Sequence, residues 1–154
     1  MTIAASDYNT KIIEEFRANG GRVSSHEQLR DLPMVLVTHT GAKSGTRYTT
    51  PLGVLVDPAV GYVIAATAAA SPRHPDWYHN LVAHPRVTVE FGTETFEAEA
   101  RETKGEERTR LFDAMAAQIP VFTNYERTTA RQIPVFVLAP LVPPGAHGAA
   151  TTPA

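Results

Sequence analysis

The sequence predicts a mainly antiparallel β-barrel with helices packed on its outside, an α+β chain of about six strands. Three observations carry this. Strand signals come as a run of three, then a hairpin, then one more, so they do not alternate with helices as a doubly wound parallel sheet requires. Val87, Val89 and Phe91 alternate with Thr88 and Glu90, and after Gly92-Thr93 the residues Phe96, Ala98 and Ala100 stand opposite Glu97, Glu99 and Arg101. That is a β-hairpin with one buried face. Finally, 154 residues of which 43% are hydrophobic and 19% charged suffice for one sizeable core, and argue against disorder.

The elements follow in order. Ser6 or Asp7 can cap a helix that runs to about Ala18, with Ile12, Ile13 and Phe16 on one stripe and Gly20-Gly21 stopping it. Met34 to Thr40 reads as a strand rich in β-branched residues, Gly41 to Gly45 as a loop, and Thr46 to Val56 as a second strand. Pro51 cannot donate to a ladder, so this strand needs an edge or a bulge there. Asp57 to Gly61 is a turn before a strand from Tyr62 to Thr67. Pro75 opens a short helix, Asp76 to Ala83, which ends before Pro85. Thr103 and Glu106 have capping-box spacing for a helix from Glu106 to Gln118. A shorter helix from Pro120 to Thr129 and a last strand from Ile133 to Leu138 complete the domain, residues 1–140. Residues 141–154, rich in Pro, Gly, Ala and Thr, are expected to form a flexible tail.

Composition excludes several classes. With no cysteine there is no disulfide framework, iron–sulfur cluster or thiol nucleophile. A net charge of 14 − 16 = −2 gives no global pull toward nucleic acid. The longest apolar run, Val60 to Ala70, falls short of the roughly 20 residues of a spanning helix. No secretory leader is visible, so a cytoplasmic location is expected. The first helix leaves room for peripheral membrane contact, but its polar face has few basic residues and core packing explains it better. Charge is uneven along the chain. Leu32 to Pro75 holds Lys43, Arg47 and Arg73 against Asp57 alone, whereas Glu90 to Glu107 holds seven acids against Arg101 and Lys104. The locally positive segment suits an anionic ligand as well as it suits a solvated loop.

Motifs for familiar chemistry are missing. Gly41-Ala42-Lys43-Ser44-Gly45 lacks the spacer and the ending of a P-loop, and no Rossmann glycine fingerprint follows a strand. His74, His79 and His84 are spaced by five, about 140° apart on a helix, so they cannot converge on one metal from that element. No serine sits in a nucleophile elbow. The loop still offers backbone N–H groups, a hydroxyl and an ammonium, all suited to phosphate or carboxylate. As a plain hairpin connection it would need none of them.

Five blocks then stand in order. They are Thr38-His-Thr-Gly-Ala-Lys-Ser-Gly-Thr-Arg-Tyr-Thr-Thr-Pro-Leu52, Ala65-Ala-Thr, Ser71-Pro-Arg-His-Pro-Asp-Trp-Tyr-His-Asn-Leu81, Ala83-His-Pro-Arg-Val87 and Arg131-Gln-Ile-Pro134. From about Phe16 to Pro140 the chain resembles the actinobacterial deazaflavin-dependent nitroreductase family, type A, whose members use coenzyme F420. The resemblance implies a split β-barrel related to FMN-binding barrels. It implies cofactor contacts at Ala42, Lys43 and Ser44, at Tyr48, Thr49, Thr50, Pro51, Leu52 and Gly53, and at Ala65, Ala66, Thr67 and Ala68. Further implied contacts are Asp76, Trp77, Tyr78, His79 and Asn80. Two positions depart from the family pattern: Tyr48 stands where many relatives carry Arg, and Ala68 where some carry a base. Arg47 is one position away but, unless a bulge re-aims it, faces the other side of the strand, which shifts the burden toward Lys43 and Arg73.

The resemblance implies an F420H2-dependent reductase that passes a hydride to an activated alkene, a quinone or a nitroaromatic compound. Relatives place tyrosines above the deazaflavin on the segment before Arg131, where this chain has Ile119, Phe122 and Tyr125 on one helix face. Tyr125 alone of these has a polar tip, which makes it the candidate catalytic donor, with Ile119 and Phe122 as substrate contacts. A non-catalytic deazaflavin carrier and an FMN enzyme on the same barrel are the alternatives. Trp77 reads equally as core anchor or pocket wall, and His39 and His79 read as structural. The expected partner is a small molecule, with the protein a monomer or a homodimer and no metal bound.

Overall fold

The computed structural model describes residues 3–23, 33–67, 73–129 and 131–141. Ala68 and all but the first residue of the expected tail lie outside the described residues. The elements are α1 (Ile3–Ala18), β1 (Met34–Thr40), β2 (Arg47–Gly53), β3 (Leu55–Asp57), β4 (Gly61–Ala65), α2 (Asp76–Ala83), β5 (Arg86–Phe91), β6 (Glu94–Glu102), α3 (Gly105–Gln118), α4 (Val121–Thr128) and β7 (Val135–Pro140). The strands form one antiparallel sheet in the order β2-β1-β5-β6-β7-β4-β3. It curls until β2 approaches β4, giving the split β-barrel with helices outside. Seven strands stand where about six were expected, because the predicted Thr46–Val56 strand breaks at Val54. There the Val54 N–H turns to Pro33 O at 3.0 Å and the side chain enters the core.

The curl sorts the side chains into three apolar layers by the two-residue period of the strands. Val35, Val37, Ile64, Val87, Val89, Ala98, Phe136 and Leu138 point into the barrel, where α2 inserts Trp77 and Leu81. Met34 and Leu36, on the other face of β1, are covered by Ile12 and Phe16 of α1. Val63, Val135 and Val137, on the other face of β4 and β7, are covered by Leu111, Phe112, Met115 and Phe122. Among the described residues, no helix is long and apolar enough to cross a membrane.

Pro51 sits where a ladder tolerates it. Gly41 N–H donates to Thr46 O and Val54 N–H to Pro33 O, so the even-numbered residues between them face β1. Arg47, Thr49, Pro51 and Gly53 then turn their backbone to the open side of an edge strand. Two helix starts differ from the sequence reading. α1 begins at Ile3, before Ser6 and Asp7, because Ile3-Ala4-Ala5 continues a good helical run. α3 is not capped by Thr103, whose hydroxyl donates to Val135 O at 2.8 Å. Lys104 is the N-cap, without a side-chain hydrogen bond, and Gly105 turns the chain with φ of +60°.

Phe136 packs on both Trp77 and Tyr78, with ring centroids 6.0 and 5.7 Å apart. Phe136→Ala should therefore cost about 3–5 kcal/mol in urea unfolding, whereas Val82→Ala on the exposed side of α2 should stay within about 0.5 kcal/mol. Equal shifts for the two would mean that α2 does not plug the barrel.

Candidate cofactor and substrate site

Where the edge strand β2 meets β4, the barrel leaves a gap, and α1 and α4 wall it in. The result is a cavity of about 580 Å³ lined by Asn9 and Ile12 of α1, Met34 of β1, and Pro51, Leu52 and Gly53 of β2. Ala65, Thr67, Ile119, Pro120, Val121, Phe122 and Tyr125 close the other side. Eight residues expected at the site from sequence meet here: Pro51, Leu52, Gly53, Ala65, Thr67, Ile119, Phe122 and Tyr125. The sequence reading missed Asn9, Ile12, Met34, Pro120 and Val121; for the two on α1, nothing in an amphipathic helix says which strand edge its end will overhang. Gly53 matters sterically, because a Cβ there would meet Ile119 Cδ1 at 3.3 Å and narrow the cleft. Phe122 stacks between Phe112 and Tyr125, at centroid distances of 6.2 and 6.0 Å. The stack fixes the half-buried Tyr125 ring against the cavity wall.

The loop Gly41–Gly45 lies at the far end of β2, seven residues away, or about 20 Å along the strand. Several of its polar groups are already used. Gly45 N–H donates to Gly41 O at 3.1 Å, and Thr46 N–H donates to Ser44 Oγ at 3.1 Å. Ala42 N–H donates to Asn80 Oδ1 at 2.9 Å. Among the described residues nothing takes the amides of Lys43 and Ser44, and the Lys43 ammonium makes no ion pair. Gly45, with φ of +74°, makes the turn that a side chain would resist. Tyr48 is exposed at 47%, on the same strand face as Thr50 and Leu52. Arg47 goes the other way, as alternation requires, and its guanidinium donates to Thr88 Oγ1 at 3.3 Å.

The short helix α2 turns one face into the barrel. Trp77 is 8% exposed and belongs to the barrel core. Asn80 is buried and bonded at both ends of its amide. The Tyr78 hydroxyl donates to the Glu102 carboxylate at 3.2 and 3.3 Å, and burial followed by that carboxylate raises its pKa. Asp76 and His79 are exposed. Arg131, from the fifth block, donates to Thr67 O at 2.8 Å and contacts His74 Nδ1 at 2.9 Å, fixing the end of β4 beside the cavity. Burial lowers the pKa of Arg131, and burial, then Arg131 and His79, lower that of His74. Ala66 is fully buried in the barrel core and does not line the cavity. Among the described residues, no group of His, Asp and Glu could hold a metal ion.

His39 is buried in the barrel wall, with Nε2 2.8 Å from Thr50 Oγ1 and Nδ1 3.1 Å from Asn80 Nδ2. Burial lowers its pKa from 6.5 to about 4. The folded protein thus keeps the ring neutral while the unfolded chain takes up a proton below pH 6.5. Stability from this group is complete above that pH and is lost as pH falls toward 4, by up to about 3 kcal/mol. Urea midpoints measured between pH 7 and about 4 should fall more steeply for the wild type than for His39→Gln. Parallel slopes would remove His39 as the source.

A family model for the F420H(2)-dependent quinone reductases matches residues 10–140. An F420H(2)-dependent quinone reductase of Mycobacterium tuberculosis (strain ATCC 25618 / H37Rv) is 34% identical over 126 residues, which cover 80% of this chain and 83% of the relative. A solved F420-H2 dependent reductase (FDR-A) is 39% identical, covers 69% of this chain and 93% of its own, and superposes with a TM-score of 0.63. A structure described as a domain-swapped dimer is 34% identical, covers 87% of this chain and 98% of its own, with a TM-score of 0.65. Family match, identity and superposition agree with the split barrel and its gap: the chain belongs to the F420H(2)-dependent quinone reductase family and is an F420-dependent oxidoreductase.

Proposed function

We propose that the protein reduces an apolar, electron-poor acceptor, a quinone or an enone before a nitroaromatic compound, inside the cavity between α1 and α4. The observation that carries this is the lining: Ile12, Met34, Leu52, Ile119, Pro120, Val121 and Phe122 are apolar, and Tyr125 is the one tyrosine among them. The residues also suit an elongated cofactor with a flat ring at one end and anions at the other. The cleft that a Cβ at Gly53 would narrow would take the ring, and Lys43 with the amides of Lys43 and Ser44 would take the anionic part about 20 Å along β2. When bound, reduced deazaflavin supplies a hydride, two electrons in one step. The protein's own share is to align the acceptor on the ring, exclude water with α1 and α4, and offer the Tyr125 O–H to the acceptor oxygen as negative charge develops there. Of monomer and homodimer, the similar chain described as a domain-swapped dimer favours the homodimer. A cytoplasmic location belongs to the same reading.

The test mixes the protein with reduced F420 and, in parallel, a quinone, an enone and a nitroaromatic compound, and follows recovery of the oxidised cofactor's absorbance. Quinone and enone should turn over fastest. Rates no faster than the blank with every acceptor would favour the carrier alternative.

Tyr125→Phe should lower enone reduction by roughly ten- to a hundredfold, solvent supplying the remaining proton transfer. Turnover at the wild-type rate would reduce α4 to a lid. Lys43→Ala should weaken F420 binding by about 1.5–3 kcal/mol in a fluorescence titration. An unchanged dissociation constant would remove Lys43 as an anion contact.

A further inference from the structure

We propose that Asn80 is a positioning residue which, oriented by His39, holds the Gly41–Gly45 loop in its anion-binding shape and so sets cofactor affinity without touching the cofactor. The inference rests on the reading that Lys43 and its loop meet the cofactor's anionic part.

Asn80 has one acceptor and two donors on its amide, and its surroundings fix which end is which. Ala42 N–H is 2.9 Å from one end, and an N–H can only meet the carbonyl oxygen there. The amide nitrogen therefore faces His39 Nδ1 at 3.1 Å, which must be an unprotonated acceptor. The proton of the neutral ring then sits on Nε2 and is donated to Thr50 Oγ1 at 2.8 Å. A single proton arrangement satisfies the chain from Thr50 through His39 and Asn80 to Ala42, joining β2, β1, α2 and the loop. His39 and Asn80 are 3% and 8% exposed, so the bond between them is shielded from water, while those to Thr50 and Ala42 are part-buried.

The loop depends on this tether. Its remaining bonds, Gly41 N–H to Thr46 O at 2.7 Å, Gly45 N–H to Gly41 O and Thr46 N–H to Ser44 Oγ, close the loop on itself and span only two to five residues. The bond from Ala42 reaches an element 38 residues away in sequence. It turns the Ala42 amide toward α2 and leaves the next two amides for an anion. Without it the loop samples more conformations, and binding must pay to order it. A leucine at His39 would act at one remove, leaving the Asn80 amide free to rotate its oxygen away from Ala42.

The experiment titrates oxidised F420 by fluorescence into the full chain. It compares wild type with Asn80→Ala, His39→Leu, His39→Asn and Lys43→Ala, and records the melting temperature of each. Asn80→Ala and His39→Leu should raise the dissociation constant about tenfold, and the loss in kcat/KM for reduced F420 should lie in KM. His39→Asn restores an acceptor oxygen near the position of Nδ1 and should bind within about threefold of wild type, even if its melting temperature falls. In wild type, ¹⁵N shifts should report His39 protonated on Nε2 alone. Asn80→Ala binding F420 like wild type while Lys43→Ala binds weakly would overturn the inference and leave the loop reading standing. If neither weakens binding, the loop reading itself fails. Should Asn80→Ala not fold, the His39 pair decides: equal affinities for His39→Leu and His39→Asn, or a proton on Nδ1, would sink the proposal.

Discussion

A curled antiparallel sheet that never closes its ladder is the constraint on which the rest of this protein depends. Hydrogen bonding runs from β2 to β3 through seven strands and stops, leaving two edges. Burying Val35, Ile64, Val89, Phe136 and their neighbours supplies the driving force for the curl, at about 25 cal/mol per Å² of apolar surface. An unprotected edge invites pairing with another chain. Here Pro51 blunts β2, and α1 and α4 overhang the cavity beside it. The site is thus the space that the unfinished barrel leaves, and its walls come from elements that were needed to cover edges in any case.

The same economy explains α2. A barrel of this size needs a plug, and Trp77, Asn80 and Leu81, at i, i+3 and i+4, form one inward face. Two of the three are apolar. The third is polar, and the interior tolerates it only because His39 and Ala42 satisfy it. The polar plug residue couples the packing of the barrel to the conformation of a loop at its rim, which an apolar residue at that place could not do.

Local signals were legible in the sequence and long-range ones were not. The α2 span of Asp76–Ala83 follows from a proline at its start and another just past its end, and the β5–β6 hairpin follows from strict alternation. Phe122 and Tyr125, three apart on α4, share the cavity with Ile119, which ends α3 and lies outside that helix, so the expected single helix face holds for two of the three residues. Thr103 misled because its capping spacing is a local pattern, whereas its hydroxyl is claimed by Val135, 32 residues on. The break at Val54 was invisible for a related reason: the sequence from Thr46 to Val56 reads as continuous strand, and only the place of Pro33 and the barrel interior bends it. The resemblance implies Trp77 and Asn80 as cofactor contacts, and the fold buries both, one in the barrel core and the other between His39 and Ala42.

Two arginines show how the far side of the cavity is held to tolerance. Arg131 clamps Thr67 O from one side, and Arg108, buried in α3, donates two N–H groups to Ile133 O at 3.0 and 2.9 Å. The Arg108 guanidinium also lies 4.7 Å from the centre of the Phe112 ring and 3.7 Å from Glu126 of α4. Phe112 in turn begins the stack that runs through Phe122 to Tyr125. The Ile133 carbonyl, the Phe112 ring and Glu126 of α4 are thereby tied to one another through the buried Arg108. The position of Tyr125 over the cleft is a property of the α3–α4 packing as a whole. For the hydroxyl proposed to meet a developing charge without reorganising, support from several elements serves better than any one contact of its own.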